Sequence, residues 1–99
     1  MIKVSNFQNQ PCIIAKFILW MQENYEHNVS CNNNTLSTSI VIDFENDNYI
    51  ARFTVWDDLS CMSEVICVET GDYKLNQRNE FYTYDSLMVM FNNFMEHIK

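Results

Sequence analysis

Two histidines and four cysteines are the side chains of this sequence best suited to nucleophilic or metal chemistry. Nucleophilic catalysis needs a cysteine or serine within reach of a base, which is most often a histidine. His27 and His97 both lie near the ends of predicted helices, away from the strands predicted in the middle of the chain. A glycine-rich phosphate loop is also excluded, because the chain contains a single glycine. The sequence therefore predicts a protein that is not an enzyme.

The cysteines do not show the spacing of a metal site. Cys12, Cys31, Cys61 and Cys67 include no Cys-x-x-Cys pair, and zinc sites typically use such pairs. His27 is close to Cys31 in the sequence, but two candidate ligands do not complete a site. We therefore predict that the protein binds no metal and no other cofactor.

Several features predict a cytoplasmic location. The start of the sequence lacks the charged and apolar regions of a secretion signal. Segment 13–21 is apolar, but Lys16 interrupts it and it is too short to span a bilayer. The four cysteines are accordingly interpreted as reduced thiols.

Three segments in the middle of the chain alternate apolar and polar residues with the period of a β-strand. They are predicted as strands at 37–44, 49–56 and 61–68, and two short polar breaks separate them. Asn, Asp and Ser in these breaks, including the adjacent pair of aspartates in the second, are typical of turns between antiparallel strands. An irregular fourth strand is predicted at 73–82, after a turn in which Gly71 suits a positive φ.

The alternation also predicts which side chains face the core. Ile50 and Trp56 are expected to point outward from the second strand. The third strand has two possible facings, and a slip of one residue would exchange them. We favour Val65 and Cys67 inward, because Glu64 then lies on the outward face. The inward residues expected on the first two strands are Ile40, Ile42, Phe44, Tyr49, Ala51, Phe53 and Val55.

Apolar stripes at helical spacing predict one helix before the strands and one after them. The first is expected at 10–26, with Pro11 in its first turn. Thr83 or Asp85 is expected to cap the second. Segment 28–35, which is rich in asparagine, is predicted as a loop. The stripes consist of Ile14, Phe17, Ile18, Met21 and Tyr25, and of Tyr84, Leu87, Met88, Phe91, Phe94, Met95 and Ile98.

These elements predict an α+β fold in a single domain that spans residues 1–99. The predicted order is a helix, a three- to four-stranded antiparallel meander and a second helix. Both helices are expected to pack on one face of the sheet. The other face would then be open to solvent or to a partner.

The net charge of −7 is concentrated in the predicted strands and their loops. Ten acidic and three basic residues lie between Asp43 and Asp85, whereas the charges of the remaining chain cancel. Direct binding to nucleic acid is disfavoured, because phosphate contacts need a basic surface. The charge favours a basic protein partner, although an acidic surface that only improves solubility would give the same pattern.

Two runs in the middle of the chain are Tyr49-Ile-Ala-Arg-Phe-Thr-Val-Trp-Asp-Asp and Ser63-Glu-Val-Ile-Cys-Val-Glu-Thr-Gly-Asp. With the order of elements and the terminal helix after Glu80-Phe-Tyr-Thr-Tyr-Asp, they resemble the TriTu family of bacterial immunity proteins. The resemblance covers nearly the whole chain. It implies a small cytoplasmic protein that binds and neutralises a toxin, often the C-terminal domain of a contact-dependent growth inhibition effector.

Toxins of that kind are commonly nucleases with a basic substrate groove, so the resemblance implies an acidic binder that occupies the groove or binds beside it. We expect the contact surface on the outward face of the sheet and its loops, from charge and expected exposure rather than from a family motif. A small acidic, non-catalytic regulator or inhibitor of another host enzyme is the alternative. The expected contact residues are the acidic Asp57, Asp58, Glu64, Glu69 and Asp72, with Trp56 and Arg52 as anchors.

Overall fold

The computed structural model describes residues 12–33 and 38–98. The strands form one sheet in the order β1-β2-β3-β4-β5, and each strand is antiparallel to the next. The predicted α+β fold, in which helices flank an antiparallel meander, is confirmed. The elements are α1 (Cys12–Tyr25), β1 (Val29–Asn33), β2 (Thr38–Glu45), β3 (Tyr49–Trp56), β4 (Ser60–Cys67), β5 (Tyr73–Glu80) and α2 (Tyr84–Glu96).

The described residues form a sheet of five strands, so the predicted count of three to four is wrong. The additional strand is β1, which lies in the segment 28–35 that its asparagines predict as a loop. Asparagine is depleted in strands, but pairing with β2 satisfies the backbone of this segment. Val29 lies opposite Ile42 in that pairing, and its side chain packs against the core. Pairing and burial therefore override the local preference of the asparagines.

The other predicted strands lie close to their expected bounds. β3 coincides with the predicted 49–56, while β2 and β4 are each shifted by one residue from 37–44 and 61–68. The irregular strand predicted at 73–82 is confirmed as β5, and its pairing with β4 contains one register shift.

The predicted facings of the strands are also confirmed. Phe53 and Val55 are fully buried on one face of β3, while Ile50 on the opposite face is 49% exposed. On β4 the favoured alternative is the observed one, because Val65 is fully buried. Glu64 consequently lies on the opposite face. We call the face that carries Phe53 and Val65 the inner face, and the opposite one the outer face.

Both helices pack on the inner face, around Phe53. The ring of Phe17 in α1 lies 6.2 Å from the ring of Phe53, between centroids. Phe91 and Phe94 of α2 lie 5.3 and 5.4 Å from the same ring. Trp20 is partly buried at the margin of this cluster, edge-on to Phe91 at 5.9 Å. Within the described residues, the outer face carries no packed helix.

The N-terminus of α2 is fixed by a capping box at Thr83, one of the two predicted caps. The backbone N–H of Ser86 donates to Thr83 Oγ1 at 3.0 Å, and the backbone N–H of Thr83 donates to Ser86 Oγ at 3.2 Å. Asp85 lies in the first turn, where its charge is favourable. The predicted start of the first helix at residue 10, with Pro11 in its first turn, lies outside the described residues.

Replacing Thr83 with alanine is expected to lower the free energy of unfolding by about 1 kcal/mol, because the backbone N–H of Ser86 loses its acceptor, Thr83 Oγ1. Urea denaturation of the purified variant measures this change. The control is Thr83→Ser, which keeps the hydroxyl and should cost no more than a few tenths of that amount. Equal losses in the two variants would contradict a role for the hydroxyl.

Candidate partner-binding surface

The outer face carries a row of three charged side chains across the middle of the sheet. Asp43 of β2 lies opposite Arg52 of β3, and Arg52 lies opposite Glu64 of β4. The adjacent row on the same face contains Ile50 opposite Ile66. Side chains two residues apart on a strand share a face, so the charged row and the pair of isoleucines lie side by side.

Arg52 and Asp43 form the ion pair of this row. Arg52 Nε donates to Asp43 Oδ1 at 2.8 Å, and this hydrogen bond, together with the charge of Asp43, raises the pKa of Arg52. Both side chains are more than half exposed, at 56% and 52%. Exposed pairs contribute only about 0–1 kcal/mol to stability, so this pair can rearrange at little cost.

Glu64 lies on the other side of Arg52 and is half-buried. Its carboxylate forms no hydrogen bond and no ion pair with the described residues, although its charge acts on Arg52. A half-buried carboxylate without a donor retains its full capacity to accept hydrogen bonds. Among the predicted contact residues in the middle of the outer face, Glu64 therefore has carboxylate oxygens that can still accept hydrogen bonds from a partner.

Trp56 and Asp58 lie at one end of the sheet, where Arg78 of β5 joins them. The guanidinium carbon of Arg78 is 5.0 Å from the centroid of the Trp56 ring, within the range of a cation–π contact. Arg78 Nη2 also lies 3.0 Å from Ser60 Oγ and 3.7 Å from Asp58 Oδ2. Asp58 further accepts from the backbone N–H and the hydroxyl of Ser60. Asp58 therefore stabilises the turn between β3 and β4 besides contributing charge.

The seven predicted contact residues do not form one compact patch. Trp56, Asp57 and Asp58 lie at the β3–β4 turn, whereas Glu69 and Asp72 lie at the β4–β5 turn. Consecutive turns of a meander are at opposite ends of the sheet, and strands of eight residues separate them by roughly 23 Å. Arg52 and Glu64 lie between the two groups on the outer face. The predicted contact residues are therefore distributed along the sheet from one end of its strands to the other.

The end of the sheet that holds Glu69 and Asp72 is strongly acidic. The β2–β3 and β4–β5 turns meet there, since the backbone N–H of Val68 donates to the carbonyl of Asn48 at 2.9 Å. Both helices finish at this end, and helix C-termini carry partial negative charge. We call it the acidic end; the carboxylates that the turns and helix ends place there are Glu26, Glu45, Asp47, Glu69, Asp72 and Glu96.

Lys74 lies at the start of β5, directly after the β4–β5 turn of the acidic end. Its Nζ donates to the hydroxyl of Tyr49 at 2.9 Å and lies 4.5 Å from the centroid of the same ring. This contact holds the ammonium group over the ring. Since Tyr49 lies at the acidic end, Lys74 adds one positive charge beside the six carboxylates, and negative charge remains in excess there.

A cavity of about 270 Å³ at the acidic end is lined in part by Cys67. Hydrogen bonding from the backbone and hydroxyl of Thr70, and from the backbone of Glu69, lowers the pKa of the Cys67 thiol. Cys61 has the opposite environment, since its thiol is buried and lies 3.5 Å from the sulfur of Met90. Burial raises the pKa of Cys61 to about 11.

Iodoacetamide is expected to modify Cys67 at least ~10-fold faster than Cys61 at pH 7.5, because the thiolate is the reactive form and Cys67 is accessible. The measurement is mass spectrometry over time on a chain in which Cys12 and Cys31 are replaced by serine. The rate at Cys67 should level off below the ordinary thiol pKa, whereas the rate at Cys61 should keep rising toward pH 11. Equal rates at pH 7.5 in the folded protein would contradict these environments.

The described part of the chain contains neither a cluster of metal ligands nor a helix that could span a membrane. Among these residues no group of three or more His, Cys, Asp or Glu side chains is arranged to hold a metal ion. Neither described helix has the length and the apolar content needed to cross a membrane.

Asp43, Ile66 and Arg78 belong to this surface but are not in the predicted set. The signal for Asp43 is visible in the sequence, because it is the charged residue between the inward Ile42 and Phe44. Its contact with Arg52 depends on the register of β2 and β3, which alternation alone does not fix. The stacking of Arg78 on Trp56 depends on two strands that are not consecutive in the sequence.

Comparison with known proteins identifies the family. The family model described as immunity protein TriTu matches residues 15–97, a range that contains most of α1, all five strands and the whole of α2. A search of curated proteins found no match. The resemblance of the two central runs to this family is thus supported across the fold, and the chain belongs to the TriTu family of immunity proteins.

Proposed function

We propose that the protein binds the toxin domain of its own system and neutralises it by covering the active site or the substrate groove. Membership of an immunity-protein family supports the existence of a cognate toxin. The proposed toxin is a nuclease that contact-dependent growth inhibition delivers into the cytoplasm, where the immunity protein intercepts it. Inhibition then results from binding, and requires no chemistry by the immunity protein.

The distribution of charge is the observation that carries the nuclease proposal. Ten acidic residues lie between Asp43 and Asp85, and all of them except Asp85 lie on the strands of the sheet or in the turns between strands. A nuclease binds the phosphates of its substrate through basic residues. An acidic surface is complementary to such a groove, and long-range attraction accelerates association by about 10- to 1,000-fold at low salt. Rapid capture suits a protein that must bind a toxin before it cleaves its substrate.

The proposed contact surface runs along the outer face from the β3–β4 turn to the acidic end. Asp57, Asp58, Glu64, Glu69 and Asp72 supply its charge. Trp56 and Arg52 remain the proposed anchors, and Arg78 is added to them because it is stacked on Trp56. Tight complexes depend on a few well-packed side chains, among which Trp, Tyr and Arg are common.

Co-expression tests this proposal. The toxin domain encoded by the adjacent upstream frame should arrest growth of a bacterial host, and this protein should restore growth and co-purify with the toxin. The control is a TriTu protein from a different toxin system, which should not rescue. Growth arrest that persists despite soluble expression of this protein, with no co-purification, would contradict the proposed function.

A further inference from the structure

A second cavity, of about 200 Å³, lies on the outer face between the charged row and the pair of isoleucines. Pockets for small-molecule ligands usually have volumes of about 300–1,000 Å³. This cavity is smaller, and is of a size to accept one side chain of a partner. Its lining residues are Asp43, Ile50, Ala51, Arg52, Glu64 and Ile66.

The apolar side of the cavity is formed by Ile50 and Ile66, which face each other across β3 and β4. Ile50 is 49% exposed. Covering a large aliphatic side chain with a partner removes apolar surface from water and so stabilises the complex. The aliphatic stem of a long side chain can supply that cover while its polar group stays at the rim.

The polar side of the cavity is negative overall, since Asp43 and Glu64 flank the single cation Arg52. Arg52 contacts one oxygen of Asp43, and the other oxygen accepts no hydrogen bond from the described residues. Glu64 likewise has no hydrogen-bond donor among them. Two carboxylates at the rim of one cavity thus have unused acceptor capacity and an excess of negative charge.

We propose that this cavity receives an arginine side chain of the toxin, an inference that rests on the proposed function. The guanidinium group donates to Glu64 and to the second oxygen of Asp43, and the aliphatic stem packs against Ile50 and Ile66. Arginine suits this site better than lysine, because its planar group presents five donors and can serve two carboxylates at once. Arg52 moves aside at little cost, since its pair with Asp43 is exposed.

The first experiment measures the affinity of the cognate toxin domain for the wild type and for Glu64→Gln. The variant keeps the shape of the side chain but removes its charge, and we expect about 10- to 100-fold weaker binding. The matched control is Glu23→Gln on the exposed side of α1, which should bind as the wild type does. The toxin's surface arginines are then replaced one by one with glutamine. One of these replacements should weaken binding to the wild type but cause no further weakening of binding to Glu64→Gln.

These binding measurements separate a failure of the proposed function from a failure of the arginine cavity. If the wild type fails to bind the toxin, the proposed function fails. If the wild type binds and Glu64→Gln binds equally well, the arginine cavity is overturned while the proposed function stands. The same conclusion follows if the affinity lost with every toxin arginine adds fully to the affinity lost with Glu64→Gln.

The second experiment needs no toxin. Acetyl-arginine amide is titrated into the protein labelled at isoleucine methyl groups, and acetyl-citrulline amide, which is similar in shape but uncharged, is the control. The resonances of Ile50 and Ile66 should shift with arginine at dissociation constants on the order of millimolar. Citrulline should leave them unchanged, as should arginine with the Glu64→Gln variant. Unchanged resonances, or equal shifts with both compounds, would overturn the proposal.

Discussion

Replacing Phe53 with alanine is expected to lower the free energy of unfolding by about 3–5 kcal/mol. Phe53 is fully buried at the centre of the sheet. Its ring contacts Phe17 of α1 and both Phe91 and Phe94 of α2. Its removal leaves a cavity where both helices meet the sheet, and three large rings cannot collapse into it without moving their helices.

Urea denaturation measures this loss, and Ile50→Ala is the matched control. Ile50 also lies on β3 but is half-exposed on the outer face, so its truncation should cost less than about 1.5 kcal/mol. A large difference between the two variants locates the core on the inner face. Comparable losses would contradict the assignment of the two faces.

Reversing the charge of Glu69 and Asp72 to lysine is expected to slow association with the toxin by about 10-fold or more at low salt. Both residues lie at the acidic end and are exposed. Their reversal changes the net charge by four units where negative charge is densest. The difference from the wild type should shrink as salt is added, because salt screens the attraction that the variant has lost.

A control variant with the same change in net charge separates a local effect from a global one. Glu80→Lys combined with Asp85→Lys places the new charges on exposed residues at the opposite end of the sheet, roughly 23 Å from the acidic end along β5. At 0.1 M salt the screening length is about 10 Å, so these distant charges should change the rate far less. Stopped-flow measurements at two salt concentrations compare the association rates of the two double variants with that of the wild type. Equal slowing by both pairs would show that total charge, rather than the acidic end, governs association.

The alternation of apolar residues was sufficient to predict the central strands and both helices. A face that must be buried fixes which residues point inward, as at Phe53 and Val55. The capping of α2 was also predictable, because the hydroxyl of Thr83 precedes a strong helical stripe. Strand β1 was not, since its asparagines disfavour a strand and only the pairing of Val29 with Ile42 compensates.

The candidate surface was predictable in its charge but not in its arrangement. The excess of carboxylates between Asp43 and Asp85 can be counted from the sequence. Which carboxylates already have partners depends on strand register. Register places Arg52 against Asp43, while Glu64 has no hydrogen-bond donor among residues 12–33 and 38–98. Likewise, the separation of Asp58 from Asp72 by the length of a strand follows from the topology. The outer-face cavity results from the packing of the charged row against the pair of isoleucines, and the sequence alone does not predict it.

Titration of the purified toxin domain with this protein is the most direct test of the central claim. The nuclease activity proposed for the toxin is measured on nucleic acid while the immunity protein is added in steps. We expect activity to fall linearly and to vanish near one immunity protein per toxin domain, with the TriTu protein of another toxin system leaving it unchanged. Full toxin activity in the presence of a several-fold excess of this protein would contradict neutralisation by direct binding.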